Sequence, residues 1–530
     1  MVAISSVGTP ALSSTAPYGR SGTSPASAGP AGASAGASAS DGAEAVALGQ
    51  GGGSPVYTRA QLAPTYAWER ASSDAISGRL AGNVLASTMS GRFAGLGAAL
   101  LTQLGGDGSD YSQSVIGVAP GAQANAIHAS RFQAPALNQV GLTLTMRSGA
   151  TITVTLGSDT DRLAVNVAVT GGTLGAKDRD AVAGLAGAFQ TAIDALGETP
   201  PRLDLGGLLD TDADLFAAVN LHASIDVGQN QPQTIDFVAS DQQRTVSVRG
   251  PSGDLDLNVD MRETSTLGTA AQQASAIRHY LQQFDAAKSR GQGDPALMAM
   301  FKDAFAALHG HRASSDGVFG KPSSNGIVPA SRIALSGADH GMMTGLGDFQ
   351  ASISQTAVAS NPMRRDEVDA FSYQVSQHTE ISGKSELDRS VHQRQESRLD
   401  ASFHRSLFGD TALMLTDSPY SQNYYYDQIH DTASSDMSLA YAKGALVQAT
   451  LTQAADQSSR VQKYELGRLQ SDITTPNAKS RTVDVLGMID DAIRNDTYHQ
   501  IPDDRQRDDV LSSMHDRVLL HASTDQVGSL

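Results

Sequence analysis

His309-Gly-His311, with His340 downstream, is the set of side chains in this sequence best suited to hold a metal ion. Imidazoles bind transition metals without thiolate help, but a site needs three or four converging ligands with hydrogen-bonded outer partners. The chain carries neither H-E-x-x-H nor a paired Glu-x-x-His. Two histidines ending a helix also interact well with its C-terminal dipole, so a plain surface role competes with the metal role. Tyr420, Tyr424, Tyr425 and Tyr426 form the one concentrated aromatic feature. Strand alternation puts Tyr424 and Tyr426 on one face and Tyr425 on the other. Packing across a sheet therefore competes with a recognition patch for a partner.

Three further patterns match a chemistry only in part. Gly32-Ala-Ser34-Ala-Gly36 has the spacing of a nucleophile elbow, but that elbow is a strained strand-to-helix turn, and Ala/Ser/Gly repeats surround this one. Gly291-Gln-Gly293-Asp-Pro-Ala296 resembles a degenerate dinucleotide fingerprint. Such a loop must follow a strand, whereas this one joins two helical patterns and reads as an interhelical turn. Asp210-Thr-Asp212-Ala-Asp214 opens like a calcium loop, yet Leu215 and Leu221 stand where glycine and a bidentate carboxylate are required. The spacing instead predicts three carboxylates at the N-terminus of a helix, where they complement its dipole.

These side chains must be positioned by a chain of 530 residues with no cysteine and a formal net charge of −17. Disulfide scaffolds, thiolate-held metals and cysteine nucleophiles are excluded. Acidic balance without a long Lys/Arg run argues against a nucleic-acid partner. No cofactor is expected; a protein partner or self-association is. The best apolar stretch, Phe93 to Leu104, is about half the ~20 residues a spanning helix needs. Its Phe93, Leu96, Leu101 and Leu104 fall on one helical face, which suits a packed helix.

Residues 1–55 are nearly all Ala, Ser, Gly, Thr and Pro. They bury too little apolar surface to offset a backbone ordering entropy of ~1–2 kcal/mol each, which predicts a disordered head. No positive n-region or apolar h-region marks a cleavable secretory signal. An uncharged Ser-rich leader with Ile4 near its start resembles the export signal of bacterial type III secretion substrates. A flexible tether explains the same composition. The chain is thus expected to be cytoplasmic, or exported without a cleavable Sec signal.

Beyond a helical or irregular segment at 56–140, two β-then-α modules are expected. In 141–225, Leu142, Leu144 and Met146, then Ile152, Val154 and Leu156, then Leu163, Val165, Val167 and Val169 alternate with polar residues across Gly/Ser/Asp turns. That is an antiparallel meander. Val182, Leu185, Phe189, Ile193 and Leu196 then take helical spacing. In 230–310, strands near 235–239, 245–249 and 254–261 precede a helix at about 267–288 and another opened by Asp294-Pro295. A Gly/Ser-rich connector at 311–362, a polar β-rich region at 363–475 and C-terminal helices at 476–530 complete the layout. The class is α+β, with antiparallel meanders covered by helices.

Ser148-Gly149-Ala-Thr-Ile-Thr-Val-Thr-Leu156, Gly172-Thr-Leu174 leading into Arg179-Asp-Ala181, and Leu208-Leu-Asp210 before Leu215-Phe-Ala-Ala218 resemble a family of uncharacterised proteobacterial proteins. The resemblance covers residues 141–221 and departs from the family pattern around Asp194 to Pro201. It implies a fold and brings no catalytic residues. The expectation is a non-enzymatic bacterial interaction or structural protein; the alternative is a hydrolase or metal-dependent enzyme whose site assembles only in the fold.

Overall fold

A computed structural model describes residues 65–71, 73–118, 129–228, 231–310, 333–409, 411–495 and 504–529. The chain divides into two units, Met1–Gln61 and Leu62–Leu530, and every described element belongs to the second. The head, Ser34 and His311 lie outside the described residues.

Strand β1 (Thr65–Trp68) is followed by helices α1 (Ala75–Asn83), α2 (Met89–Phe93) and α3 (Leu96–Asp107), then by β2 (Tyr111–Val118). The segment expected to be helical or irregular thus also carries two strands. Asp74 caps α1 by accepting the Ser77 N–H at 2.7 Å. The expected meander is present as β3 (Asn138–Met146), β4 (Thr151–Ser158) and β5 (Arg162–Thr170), ahead of α4 (Ala176–Gly184), α5 (Ala186–Leu196) and α6 (Gly206–Leu209). One expectation fails here. No helix follows Asp214: the Asp212 carbonyl accepts the N–H groups of Leu215 and Phe216, and strand β6 (Phe216–Asp226) begins. Val219, Leu221, Ala223 and Ile225 are buried at period two, a pattern a helix could not bury on one side.

The second meander is β7 (Pro232–Ser240), β8 (Gln243–Gly250) and β9 (Gly253–Asp260), covered by α7 (Ala270–Gly291) and α8 (Pro295–Gly310). A capping box starts α7: Thr269 Oγ1 accepts the Gln272 N–H while Gln272 Oε1 accepts the Thr269 N–H at 2.9 Å. Gln292, at φ 54°, ends it, and Asp294 Oδ1 accepts the Leu297 N–H at 2.7 Å to open α8. Gly291-Gln-Gly293 is therefore an interhelical turn. Where only a connector was expected, α9 (Gly337–Gly341) and β10 (Phe349–Gln355) are formed. Long strands then run as β11 (Ala370–Ser385), β12 (Asp388–Ser406), β13 (Tyr424–Ala442), β14 (Ala445–Glu465) and β15 (Arg468–Asp484). Residues 476–484, expected to be helical, complete β15. After them come α10 (Val485–Asn495), α11 (Asp504–Ser513), α12 (His515–Val518) and α13 (Thr524–Ser529).

All fifteen strands join one antiparallel sheet in the order β1-β2-β5-β4-β3-β6-β7-β8-β9-β10-β11-β12-β13-β14-β15. Its edges are the four-residue β1 and the seventeen-residue β15. Helices cover one face. A core there runs without a break from Ile76 to Val527, and a second cluster joins Met342, Met343, Leu439, Leu451, Leu511, Met514 and Val518.

Over β11–β14 a polar stripe crosses the otherwise apolar covered face, and every strand contributes from it hydrogen bonds to backbone that crosses the sheet. Gln377 Nε2 donates to the Leu346 carbonyl at 3.0 Å, and Gln393 Oε1 accepts the Thr344 N–H at 2.9 Å. Gln395 donates to the Val518 carbonyl and accepts the Leu520 N–H, at 2.8 and 2.9 Å. Gln453 Nε2 lies 2.9 Å from the carbonyls of Arg517 and Leu519. The irregular segments near 344–347 and 517–520 thus satisfy in the sheet's side chains the backbone groups they would otherwise bury unpaired.

Candidate functional site

His309 lies near the C-terminus of α8 and is buried, its ring packed against Phe305 and Phe349 at centroid distances of 4.2 and 5.1 Å. Its Nδ1 lies 2.9 Å from the Phe305 carbonyl. Burial lowers its pKa to about 4, against that hydrogen bond, so the ring is a neutral member of the core. His340 belongs to α9, where burial also lowers its pKa. Among the described residues, no group of three His, Asp or Glu side chains could hold a metal ion. The histidine pattern of the sequence is therefore not assembled into a centre by the residues described.

The tyrosines are split. Tyr424 and Tyr426 are buried on the face opposite the helices, Tyr425 lies on the other face under the Arg405 guanidinium at 4.5 Å, and Tyr420 stands 82% exposed. A contiguous four-tyrosine patch is not formed, because alternation along β13 sends the paired rings inward.

What they surround had no local sign in the sequence. His404 of β12 packs between Tyr424 and Tyr426, at centroid distances of 5.0 and 4.8 Å. Its Nδ1 lies 2.6 Å from Asp369 Oδ1 and its Nε2 3.2 Å from Glu367 Oε2. Tyr424 donates to Glu367 Oε2 at 2.6 Å, and Asn361 Nδ2 donates to the Tyr424 and Gln422 side chains at 3.0 and 2.9 Å. Burial opposes a charged His404, but hydrogen bonds to Asp369 and Glu367 outweigh it and raise the pKa to about 9. Burial likewise opposes the two carboxylates, and the bonds from His404, Tyr424 and Ser360 still hold both below their ordinary values. This imidazolium between two carboxylates clasps the 356–369 segment onto the ends of β12 and β13. Its spacing, 35 residues and more between partners, becomes visible only once His404 is registered opposite Tyr426.

Around that clasp the surface turns apolar. Phe408, Met414 and Tyr420 in the β12–β13 loop are 69%, 78% and 82% exposed. Val358 and Met363 from the clasped segment, with Leu466 and Leu469 at the β14–β15 turn, are exposed at the same end of the sheet. These seven are more than half of the thirteen large apolar side chains exposed among the described residues. Arg364 stacks on Tyr464 at 4.4 Å and donates to the Gly467 carbonyl at 3.2 Å, tying the rim together.

The same uncovered face carries a second feature, away from the clasp. Across β8 to β15, Ser247, Asp256, Ser352, Gln374, Arg398, Thr432, Asp456 and Ala478 are register partners in one cross-strand row. A second row runs beside it from Thr245 to Ser480. Both rows line a single open cavity of about 1170 Å³.

Comparison of the chain with protein-family models, with curated proteins and with solved structures finds no match. No helix among the described residues is long and apolar enough to cross a membrane.

Proposed function

We propose that this is a non-enzymatic interaction protein that takes a protein partner at the clasped end of its sheet. One observation carries the reading: large apolar side chains are concentrated in a rim there, on a sheet whose uncovered face is otherwise polar. Contiguous apolar patches are uncommon on isolated proteins, and Phe, Tyr, Met and Arg are the types enriched where proteins meet. The doubly paired His404 beneath keeps the rim in one shape, which reduces the ordering cost of binding. Export through the Ser-rich head belongs to the same proposal, and a reporter fused to residues 1–55 tests it by leaving or staying in the cell.

The rim is tested with Phe408→Ser, Met414→Ser and Tyr420→Ser combined. Light scattering across a concentration series measures self-association, and immobilised wild type and variant are compared for capture of other proteins. Wild type is expected to associate with itself or retain a defined partner. The variant is expected to lose that while keeping its melting temperature. Equal behaviour of the two proteins removes the rim from the function.

A further inference from the structure

We infer that the trough on the uncovered face binds a neutral, polyhydroxylated polymer, that is, a glycan chain. The site is separate from the apolar rim and does not depend on it.

Shape supplies the first argument. Strands lie ~4.8 Å apart, so a row crossing eight of them is ~34 Å long. That length suits a chain laid across the strands better than a compact ligand. All helices that contact the sheet's buried side chains lie on the opposite face, and the trough stays open among the described residues.

Chemistry supplies the second. Along the two rows the uncovered side chains are hydroxyls, amides, charged groups and alanine, with Ser352, Gln374, Thr432 and Ser434 at the centre. No aromatic ring lines the trough. An apolar partner would gain nothing here. An extended peptide is matched best by the edge of a sheet, where its own N–H and C=O groups are paired; laid across strands they are not. A glycan offers hydroxyls along its length and has no such requirement.

Charge supplies the third. On the trough's face the charged side chains are Asp256, Glu396 and Asp456 against Arg394 and Arg398, a balance of only −1 within a chain of −17. Moreover, Arg394 pairs with Glu396, Arg398 with Asp400 at 2.5 Å, and Asp256 with Arg249 at 2.8 Å. Neither a polyanion nor a polycation meets a complementary field, whereas an uncharged ligand meets fixed donors and acceptors. Each hydrogen bond exchanged with water contributes only ~0.5–1.5 kcal/mol. Binding must therefore accumulate along the chain, and short sugars should fail where polymers succeed.

Affinity electrophoresis of the full-length protein in gels containing dextran, galactomannan, xyloglucan or mixed-linkage β-glucan tests this. Retardation by at least one neutral polymer is expected, undiminished by added salt. Its monosaccharide should not compete. Ser352→Tyr and Ser434→Tyr, which fill the trough, should each weaken retardation at least about tenfold. Gln374→Ala, which removes one donor and acceptor without adding bulk, should weaken it less, and circular dichroism checks that each variant is folded. The inference is overturned if no neutral polymer retards the protein, or if only heparin or polygalacturonate does. It is equally overturned if folded trough-filling variants bind like wild type, or if they disrupt a dimer of this chain instead. Retardation should survive the triple rim substitution, so the two proposals can fail separately.

Discussion

At the scale of single residues, His404 joins strand β12 to two carboxylates of the 356–369 segment. Its pKa of about 9 exceeds the ordinary value of ~6.5. Its contribution to stability is therefore complete below about pH 6.5 and is lost as pH rises through about 9. The depressed Glu367 and Asp369 act at the other limit: their contribution is present above their ordinary values and disappears as pH falls through the lowered ones. A thermal melting series should decline on the alkaline side between those two values. His404→Gln should flatten that alkaline limb and cost about 3 kcal/mol, because the buried Glu367 and the half-buried Asp369 lose their cation. An unchanged pH profile in the variant would show that the clasp does not bear on stability. None of this was legible locally, since Glu367 and Asp369 lie in one irregular segment and His404 on a strand 35 residues and more away. His309, by contrast, attracted notice for its neighbour His311, and its own environment is hydrophobic: two phenyl rings and a helix carbonyl.

Among elements, the β3–β5 meander and the β-rich character of 363–475 were legible, while β6 was not. β3, β4 and β5 could be read because valine, leucine and isoleucine alternate there without interruption. β6 was missed because three carboxylates before it resemble a helix start, and only the period of the buried residues beyond Phe216 reveals the strand. β14 was ambiguous because Leu446, Ala449 and Leu451 fit a helix and a strand almost equally and Gln453 breaks the apolar alternation that follows. That break has a reason: Gln453, with Gln395 of β12 and Ser435 of β13, holds the backbone of residues 517–520. Gln453→Leu should leave the Arg517 and Leu519 carbonyls short of a donor, at about 1–3 kcal/mol. Hydrogen exchange should accelerate selectively in residues 515–521 of that variant; protection equal to wild type would show that other contacts hold the segment.

For the whole molecule, the two modules read from the sequence share one sheet and one core. Helix α3, which precedes the first module, approaches α4 and α5 so closely that a Cβ on Gly97 would meet Ile193 at 2.5 Å and one on Gly105 would meet Ala183 at 2.6 Å. Strand β5 is likewise paired with β2 from outside the module. An isolated fragment of residues 141–225 should therefore lack the near-ultraviolet signature and cooperative melting of a packed domain. A sharp thermal transition in that fragment would establish it as autonomous. Periodicity reports where side chains are buried along one element, but which distant element buries them is a long-range fact that no local window contains.

Strand β15 shows how a meander of this length comes to a halt. A flat margin of seventeen residues is a template for a further strand, from this chain or another. Proline fits a continuous ladder only where its nitrogen faces away from its neighbour. Pro476, paired with Ser458, therefore turns outward a position that cannot donate, and Lys479 and Arg481 place charge close by. Pro476→Thr would restore the missing donor, and the expected result is open-ended fibre growth, visible as rising light scatter and thioflavin fluorescence. A five-membered ring thus withholds from that margin one of the donors a further strand would need.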